Sequence, residues 1–119
     1  MEKVNGIGGV FFRARDPEAL AAWYQTHLGV DPVGPVPWRQ EAGFTVLSPF
    51  PEATEYFGNP DQQWMINFRV NDLDAMAAQL RANRIEVEVE AETYPNGRFA
   101  RLSDPEGNPI QLWEPATPE

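Results

Sequence analysis

Few residues of this 119-residue chain have the chemistry of a catalytic group. His27 is the single histidine and there are no cysteines, so the chain has no thiolate nucleophile, no disulfide and no cysteine-based metal site. A lone histidine cannot build a histidine-based metal centre, and its place near the end of a predicted helix favours a structural role. Neither a glycine-rich phosphate loop nor a Gly-x-Ser-x-Gly motif occurs. The sequence therefore offers no activated nucleophile.

Arg13 and Arg69 are the most suggestive charged pair, because they occupy the same place in a repeated segment. Residues 12–22 and 68–78 match at six of eleven positions. Two arginines related in this way could together hold a carboxylate or a phosphate. The alternative is that each pairs with a nearby acid, such as Asp16 or Asp72. Free arginines would indicate an anionic ligand, whereas paired arginines and an acidic exterior would favour a cationic aromatic one.

The repeat predicts that the same strand-helix unit occurs twice in the chain. In each copy an alternating apolar segment, at 7–14 and 64–70, leads to an aspartate that can cap a helix. The two helices are expected to end near Leu28 and Asn83. Further strands are predicted at 36–40, 43–48, 85–89, 98–103 and 109–114. The order is β-α-β-β-β in each half, which gives two modules, at about 6–58 and about 63–116, joined by a short connector.

Composition indicates one globular domain and excludes several partners. The chain is 42% hydrophobic and carries 18 acidic against 9 basic residues, for a formal charge of −9. Without a Lys/Arg cluster, nucleic acid and anionic membrane surfaces are poor partners. No apolar run is long enough to span a membrane, and the N-terminus lacks a signal core. A cytoplasmic protein is the expectation.

Two sequence features resemble one known family. The first is a strand ending in Arg-x-x-Asp before a helix with Trp23, Tyr24 and His27-Leu28-Gly29, and the second is the segment DPEGNPIQLWE at 104–114. Together they resemble the vicinal oxygen chelate superfamily of glyoxalases, bleomycin-resistance proteins and extradiol dioxygenases. The resemblance spans nearly the whole chain. It implies an α+β fold over about 6–116, in which two βαβββ modules pair into a curved, partly open eight-stranded barrel around a cavity.

The resemblance also implies which residues line that cavity, namely those on the strand faces opposite the helices. The candidate ligand-binding residues are Phe11, Arg13, Met65, Asn67, Arg69, Gln111 and Trp113. A mostly apolar pocket with a few hydrogen-bonding groups is the usual way to hold an organic small molecule. The alternative is that these side chains simply fill the barrel, as they do in many small barrels.

The chain departs from the family at the metal site. Members that use a metal hold a divalent ion with His or Glu, and here the matching positions are Gly9, Met65, Gln111 and, by a looser alignment, Leu47 or Ser48. One neutral amide is too weak a ligand set for such an ion. We therefore expect neither a metal nor another cofactor, and the family's isomerase and dioxygenase chemistry, which uses the metal, is not carried over.

Two functions follow from this interpretation. The first is a metal-free protein that binds a small organic molecule, as bleomycin-resistance proteins do. The second is an enzyme, such as a glyoxalase-like lyase with an atypical site. The resemblance also implies that such chains pair as homodimers, although an identical partner would bring no metal ligand that this chain lacks.

Overall fold

The computed structural model describes residues 1–116, which form two helices and one four-stranded sheet. The elements are α1 (Pro17–Leu28), β1 (Ile66–Arg69), α2 (Leu73–Ala82), β2 (Glu88–Val89), β3 (Gly97–Ser103) and β4 (Pro109–Pro115). The strand order is β1-β4-β3-β2. Strands β1 and β4 run parallel, whereas β4 with β3 and β3 with β2 are antiparallel. The sheet does not close on itself, and the predicted α+β class with an open sheet is confirmed.

Both helices begin at the predicted aspartates. Asp16 Oδ1 accepts a hydrogen bond from the backbone N–H of Ala19 at 3.1 Å, and Asp72 Oδ1 accepts one from Ala75 at 2.9 Å. These bonds satisfy backbone donors that the first turn of a helix leaves unpaired. Helix α1 ends at Gly29, which adopts a left-handed conformation with φ of 71°. The repeated sequence therefore produces the same local structure twice.

The helices pack on one face of the sheet and form the core with it. Alternation along β3 and β4 directs every second side chain toward the helices. The buried residues of this core are Leu20, Tyr24, Leu73, Ala77, Leu80, Val87, Ala100, Leu102, Ile110 and Leu112. Each leucine or isoleucine buried here contributes about 2 kcal/mol through the hydrophobic effect. The opposite face of the sheet is left to carry polar and aromatic groups.

The first half of the chain does not form the strands predicted for it. Four of the eight expected strands are present among residues 1–116, all in the second half, and the segments 7–14, 36–40 and 43–48 are not strands. In the second half β1 depends on β4 as its neighbour. The corresponding stretch of the first half, residues 51–58, forms turns instead. Prolines at 49 and 51 also lack the N–H that a strand pair needs.

Large apolar side chains are exposed along this first half. Of thirteen exposed large apolar residues, twelve lie within residues 1–50, and Phe11 and Leu47 expose 95% and 87% of their surface. The others in this region are Met1, Val4, Ile7, Val10, Phe12, Val36, Trp38, Phe44, Val46 and Phe50. We call residues 1–50 with these side chains the apolar half. So many exposed large apolar side chains in one part of a chain are typical of an interaction surface.

Helix α1 is attached to the second half by the turn at residues 104–108. Tyr24 Oη donates to Asp104 Oδ2 at 2.7 Å, and Asp104 is only 5% exposed. The Glu106 carboxylate accepts from the backbone N–H groups of Arg15 at 2.6 Å and Asp16 at 3.1 Å. Burial raises the pKa of Tyr24, and the hydrogen bond to the Asp104 carboxylate raises it further. The Tyr24 hydroxyl is therefore held neutral, as a donor.

Neither helix of the part of the chain described, residues 1–116, is long and apolar enough to cross a membrane.

Candidate functional site

The candidate site is the face of the sheet that points away from the helices. Strand register aligns side chains there in two rows across β1, β4 and β3. The polar row consists of Asn67, Gln111 and Arg101. The aromatic row consists of Trp113 and Phe99, with Arg69 at its end. We call these six residues the site face. Because neighbouring positions such as Ile110 and Leu112 are buried in the core, alternation directs this set to the opposite side.

The structure brings together four of the seven predicted site residues. Asn67, Arg69, Gln111 and Trp113 all belong to the site face. Met65 directly precedes β1 and is half-buried. Phe11 and Arg13 lie outside the sheet and are exposed. These two were expected from a first strand that pairs in a barrel, and no such strand forms.

A directional chain of hydrogen bonds crosses the polar row. Asn67 Nδ2 donates to Gln111 Oε1 at 2.6 Å, and Gln111 Nε2 donates to Tyr56 Oη at 2.8 Å. Tyr56 Oη then donates to Glu90 Oε1 at 3.3 Å. We call these four residues the amide–tyrosine chain. Both ends of the Gln111 carboxamide are therefore occupied by protein partners.

Arg101 holds Tyr56 in place over the sheet. Its guanidinium carbon lies 4.2 Å from the centre of the Tyr56 ring, and its Nη2 donates to the Tyr56 carbonyl oxygen. Such a contact between a cation and an aromatic ring is favourable, and more so when partly desolvated. Burial is the largest effect on the Tyr56 pKa and raises it, while Gln111 and Arg101 oppose this rise. The hydroxyl therefore keeps its proton at neutral pH.

Ring packing and one hydrogen bond hold the aromatic row in place. The rings of Phe99 and Trp113 are parallel within 5°, with centroids 6.4 Å apart, and Tyr94 packs edge-on against Phe99 at 5.9 Å. Trp113 Nε1 donates to the Asn96 carbonyl oxygen at 2.8 Å, which fixes the indole. Trp113 is only 6% exposed, so Phe99 and Tyr94 supply most of the aromatic surface that a ligand can contact.

Arg69 is held by a segment of the first half. Its Nη2 donates to the backbone oxygen of Glu41 at 3.0 Å, and a Cβ added to Gly43 would overlap its guanidinium. The predicted alternative was pairing of Arg13 and Arg69 with nearby acids. Within residues 1–116 the salt bridge that forms is instead Arg98 with Asp74, at 3.0 Å. Arg69 therefore reaches the first half through a backbone carbonyl and not through a carboxylate.

Two open cavities border the site face, and each is lined by one of its arginines. A cavity of about 1000 Å³ lies between Trp23 of α1, the end of α2 and the β2–β3 edge, and Arg101 is the one site-face residue that lines it. A second cavity of about 340 Å³ lies between Glu41, Arg69 and α2. None of the seven predicted residues lines the larger cavity.

Sequence reasoning missed four contributors to this surface, namely Tyr56, Glu90, Phe99 and Arg101. Glu90 alternates with Glu86 and Glu88 in the sequence, a pattern typical of a solvated strand face, but Glu90 is half-buried and accepts from Tyr56. Tyr56 comes from a turn region, where no periodic pattern gives the direction of a side chain. Arg101 and Phe99 could have been found by pairing the strand at 98–103 with Gln111 and Trp113 across the predicted turn at 104–108.

The residues present do not fit the divalent metal that the resemblance implies. Gly9 and Met65 offer no oxygen or nitrogen side-chain ligand, and the Gln111 carboxamide is already bonded to Asn67 and Tyr56. Across residues 1–116 no three His, Asp or Glu side chains are grouped closely enough to hold an ion. The site face can instead offer hydrogen bonds and aromatic contact.

These features define a small α+β protein with outer helices and an open sheet that presents a polar and aromatic face. The family model of the Glyoxalase/Bleomycin resistance protein/Dioxygenase superfamily matches residues 6–112. The chain belongs to this superfamily. No protein of curated function matches the sequence.

Solved structures share the fold at low sequence identity. TnmS3, an antibiotic binding protein from Streptomyces sp. CB03234, is 23% identical with a TM-score of 0.69, covering 98% of this chain and 100% of its own. Lactoylglutathione lyase from Agrobacterium tumefaciens is 21% identical with a TM-score of 0.62, covering 95% and 96%. A superfamily member from Sphaerobacter thermophilus DSM 20745 is 19% identical with a TM-score of 0.51, covering 85% and 90%. At these identities the likeness concerns the fold.

Proposed function

We propose that this protein binds a small organic molecule on the site face without a metal ion. The observation that carries the proposal is the state of Gln111, whose neutral carboxamide is hydrogen-bonded at both ends where metal-using relatives carry an ionisable ligand. The aromatic row beside it supplies apolar contact area. Membership of the superfamily supports this function, and so does the description of TnmS3 as an antibiotic binding protein.

A thermal-shift screen of aromatic natural products and simpler aromatic compounds tests this proposal. We expect at least one class to raise the melting temperature in a concentration-dependent way, because a ligand that binds only the folded state stabilises it. Asn67→Ala should weaken binding about fivefold to tenfold, the usual effect of one lost hydrogen bond. Asn71→Ala, an exposed asparagine beyond β1, is the matched control and should bind normally.

Two results would contradict the proposal. One is the absence of stabilisation by any organic compound across the screen. The other is a stoichiometric transition metal in protein purified from metal-supplemented medium, which would favour the alternative of a glyoxalase-like lyase with an atypical site.

We further propose that the protein acts as a homodimer joined through the apolar half. Residues 1–50 carry four basic and five acidic residues, whereas residues 51–119 carry five basic and thirteen acidic ones. Two apolar halves can therefore meet with little charge repulsion, while the acidic second halves face solvent. The lack of cysteines fits a reducing compartment, and we place the protein in the cytoplasm.

Analytical ultracentrifugation tests the dimer. Leu47→Glu should shift the protein toward the monomer, because a charge at a highly exposed apolar position would be buried in the interface. Gln79→Glu introduces the same charge on the exposed side of α2 and should leave the association unchanged. A monomeric native protein at every concentration tested would refute the dimer.

A further inference from the structure

We propose that the amide–tyrosine chain sets the specificity of the site by presenting Asn67 as a strong hydrogen-bond acceptor. The ligand class that follows is an aromatic molecule bearing a hydroxyl or amine donor. This inference rests on the proposed small-molecule function and adds the chemical class of the ligand.

The direction of the amide–tyrosine chain is fixed at its half-buried end, Glu90. An ionised carboxylate can accept hydrogen bonds and cannot donate them, so the Tyr56 hydroxyl must give its proton to Glu90. Tyr56 Oη is then left as an acceptor, and Gln111 must turn its NH₂ group toward it. Gln111 consequently turns its carbonyl oxygen toward Asn67, which must donate in turn. Each amide orientation thus follows from the single negative charge on Glu90.

The direction of these hydrogen bonds determines which atom of Asn67 is available to a ligand. Asn67 is exposed, and its Nδ2 group faces Gln111, so its carbonyl oxygen points away from the chain. Hydrogen bonds that run in one direction polarise one another. Each N–H that donates makes the carbonyl of the same amide a better acceptor, and the carboxylate at the end strengthens this effect. Asn67 Oδ1 is therefore suited to a donor on the ligand and not to a carboxylate.

The charges around the chain agree with this preference. The arginines of the site face are each engaged by the protein, Arg69 by the Glu41 carbonyl and Arg101 by the Tyr56 carbonyl and ring. The second half has a large excess of acidic residues, so an anionic ligand meets repulsion while a hydroxyl or an ammonium group does not. Phe99 and Tyr94 lie next to the polar row and can contact the aromatic body of the ligand.

A matched set of naphthalene probes tests the inference on the native protein. Naphthol and naphthylmethylamine carry a donor, methoxynaphthalene has the same shape without one, and naphthoate carries an anion at the same ring position. Dissociation constants can be measured by titration calorimetry. We expect the two donor probes to bind about fivefold to tenfold more tightly than methoxynaphthalene, and naphthoate to bind most weakly.

Substitutions in the amide–tyrosine chain test whether its direction sets the ligand preference, as distinct from direct contact between the ligand and these residues. Tyr56→Phe removes the link to Glu90, and Glu90→Gln removes the group that fixes the direction, so each should reduce the preference for naphthol to less than about twofold. Glu88→Gln is the matched control, because Glu88 lies only two residues from Glu90, is also a glutamate and is exposed. That variant should keep the full preference.

Each outcome has a defined meaning. Equal binding of naphthol and methoxynaphthalene by the native protein would overturn the inference and leave the proposed function standing, as would tightest binding of naphthoate. An unchanged preference in both Tyr56→Phe and Glu90→Gln would also overturn it. If no probe binds even at millimolar concentration, the inference fails, and the broader thermal-shift screen decides separately whether the proposed function stands.

Discussion

At the scale of single residues, the environment of each polar side chain decides its chemistry. Gln111 lies within β4 and Asp104 lies in the turn that precedes it, and both accept hydrogen bonds but have different roles. Gln111 links the half-exposed site face to Tyr56. Asp104 is buried and accepts from the Tyr24 hydroxyl and from the backbone N–H groups of Glu106 and Asn108. One residue therefore supports a candidate binding surface, and the other holds the fold together.

Tyr24→Phe should reveal the role of this buried pair through pH. The folded protein raises the pKa of Tyr24, whereas the unfolded chain loses that proton near the ordinary value of 10.0. The stabilising effect is therefore complete below about pH 10 and is lost as pH rises above it, by up to about 1.4 kcal/mol per pH unit. Tyr24→Phe should lower the free energy of unfolding by about 1 kcal/mol at pH 8 and should flatten its decline at higher pH.

Urea unfolding between pH 8 and 11 measures this effect. Tyr94→Phe is the control, because Tyr94 is exposed and its removal should leave most of the decline in place. Parallel pH profiles for the native protein and Tyr24→Phe would show that the Tyr24–Asp104 bond has no linked proton.

Single side chains were the hardest features to predict. Asp16 and Asp72 were identified as helix caps because capping needs only a local sequence pattern. Tyr56 and Glu90 were not identified, because their bond joins residues 34 apart through a turn that no periodicity describes. The orientation of a side chain in an irregular segment depends on the tertiary neighbour, which the sequence does not reveal on its own.

At the scale of elements, the hairpin of β3 and β4 organises the second half. Its start requires Gly97, which has φ of +130°, and a Cβ there would overlap the Glu114 carbonyl oxygen. The bridge between Tyr94 and Gly97 closes the preceding turn. The same hairpin carries Gln111 and Trp113 on one face and Ile110 and Leu112 on the other, so it positions the site and the core together.

Gly97→Ala should be strongly destabilising for this reason. The new Cβ would meet backbone that cannot move without breaking the pairing of β3 with β4, and we expect a loss of about 3 kcal/mol in the free energy of unfolding. Gly107→Ala is the matched control, since Gly107 also has positive φ, of +86°, but a Cβ there would have no described neighbour within 4 Å. It should cost only about 1 kcal/mol. Equal losses for the two variants would contradict the argument.

Elements were predicted well where all of their partners lie nearby in the second half. The helices end within one residue of the predicted positions, and the strands at 98–103 and 109–114 are β3 and β4. The segment 85–89 was predicted as a full strand, but only Glu88–Val89 pairs with β3. The segments 7–14 and 43–48 have strand-like sequences, and an apolar pattern alone does not supply the neighbouring strand that backbone pairing needs.

At the scale of the whole molecule, the two halves of the chain differ in structure, although residues 12–22 and 68–78 share a sequence pattern. The second half holds the sheet and nearly the entire core, and the first half contributes α1 to that core. The two halves also differ in charge, because most of the excess of acidic over basic residues belongs to the second half. The second half is therefore folded and acidic, whereas the first half exposes many of its apolar side chains.

Hydrogen exchange should show this division directly. In dilute solution the backbone amides of residues 34–51 should exchange quickly, because these residues are exposed and form no strand, while those of β3 and β4 should be protected. Raising the protein concentration should slow exchange in residues 34–51 if the apolar halves associate. Concentration-independent exchange throughout this segment would contradict the proposed dimer.

The bonds that fix α1 have a consequence for how the protein is made. Tyr24, Arg15 and Asp16 are held by Asp104 and Glu106, which follow them by 80 to 91 positions. A ribosome releases the helix long before it has polymerised these acceptors, so during translation the nascent α1 has neither its carboxylate anchor nor the sheet beneath it. We expect the domain to acquire its native form only when the hairpin of β3 and β4 has emerged from the exit tunnel, so the emergence of this hairpin completes the folding of the domain in the cell.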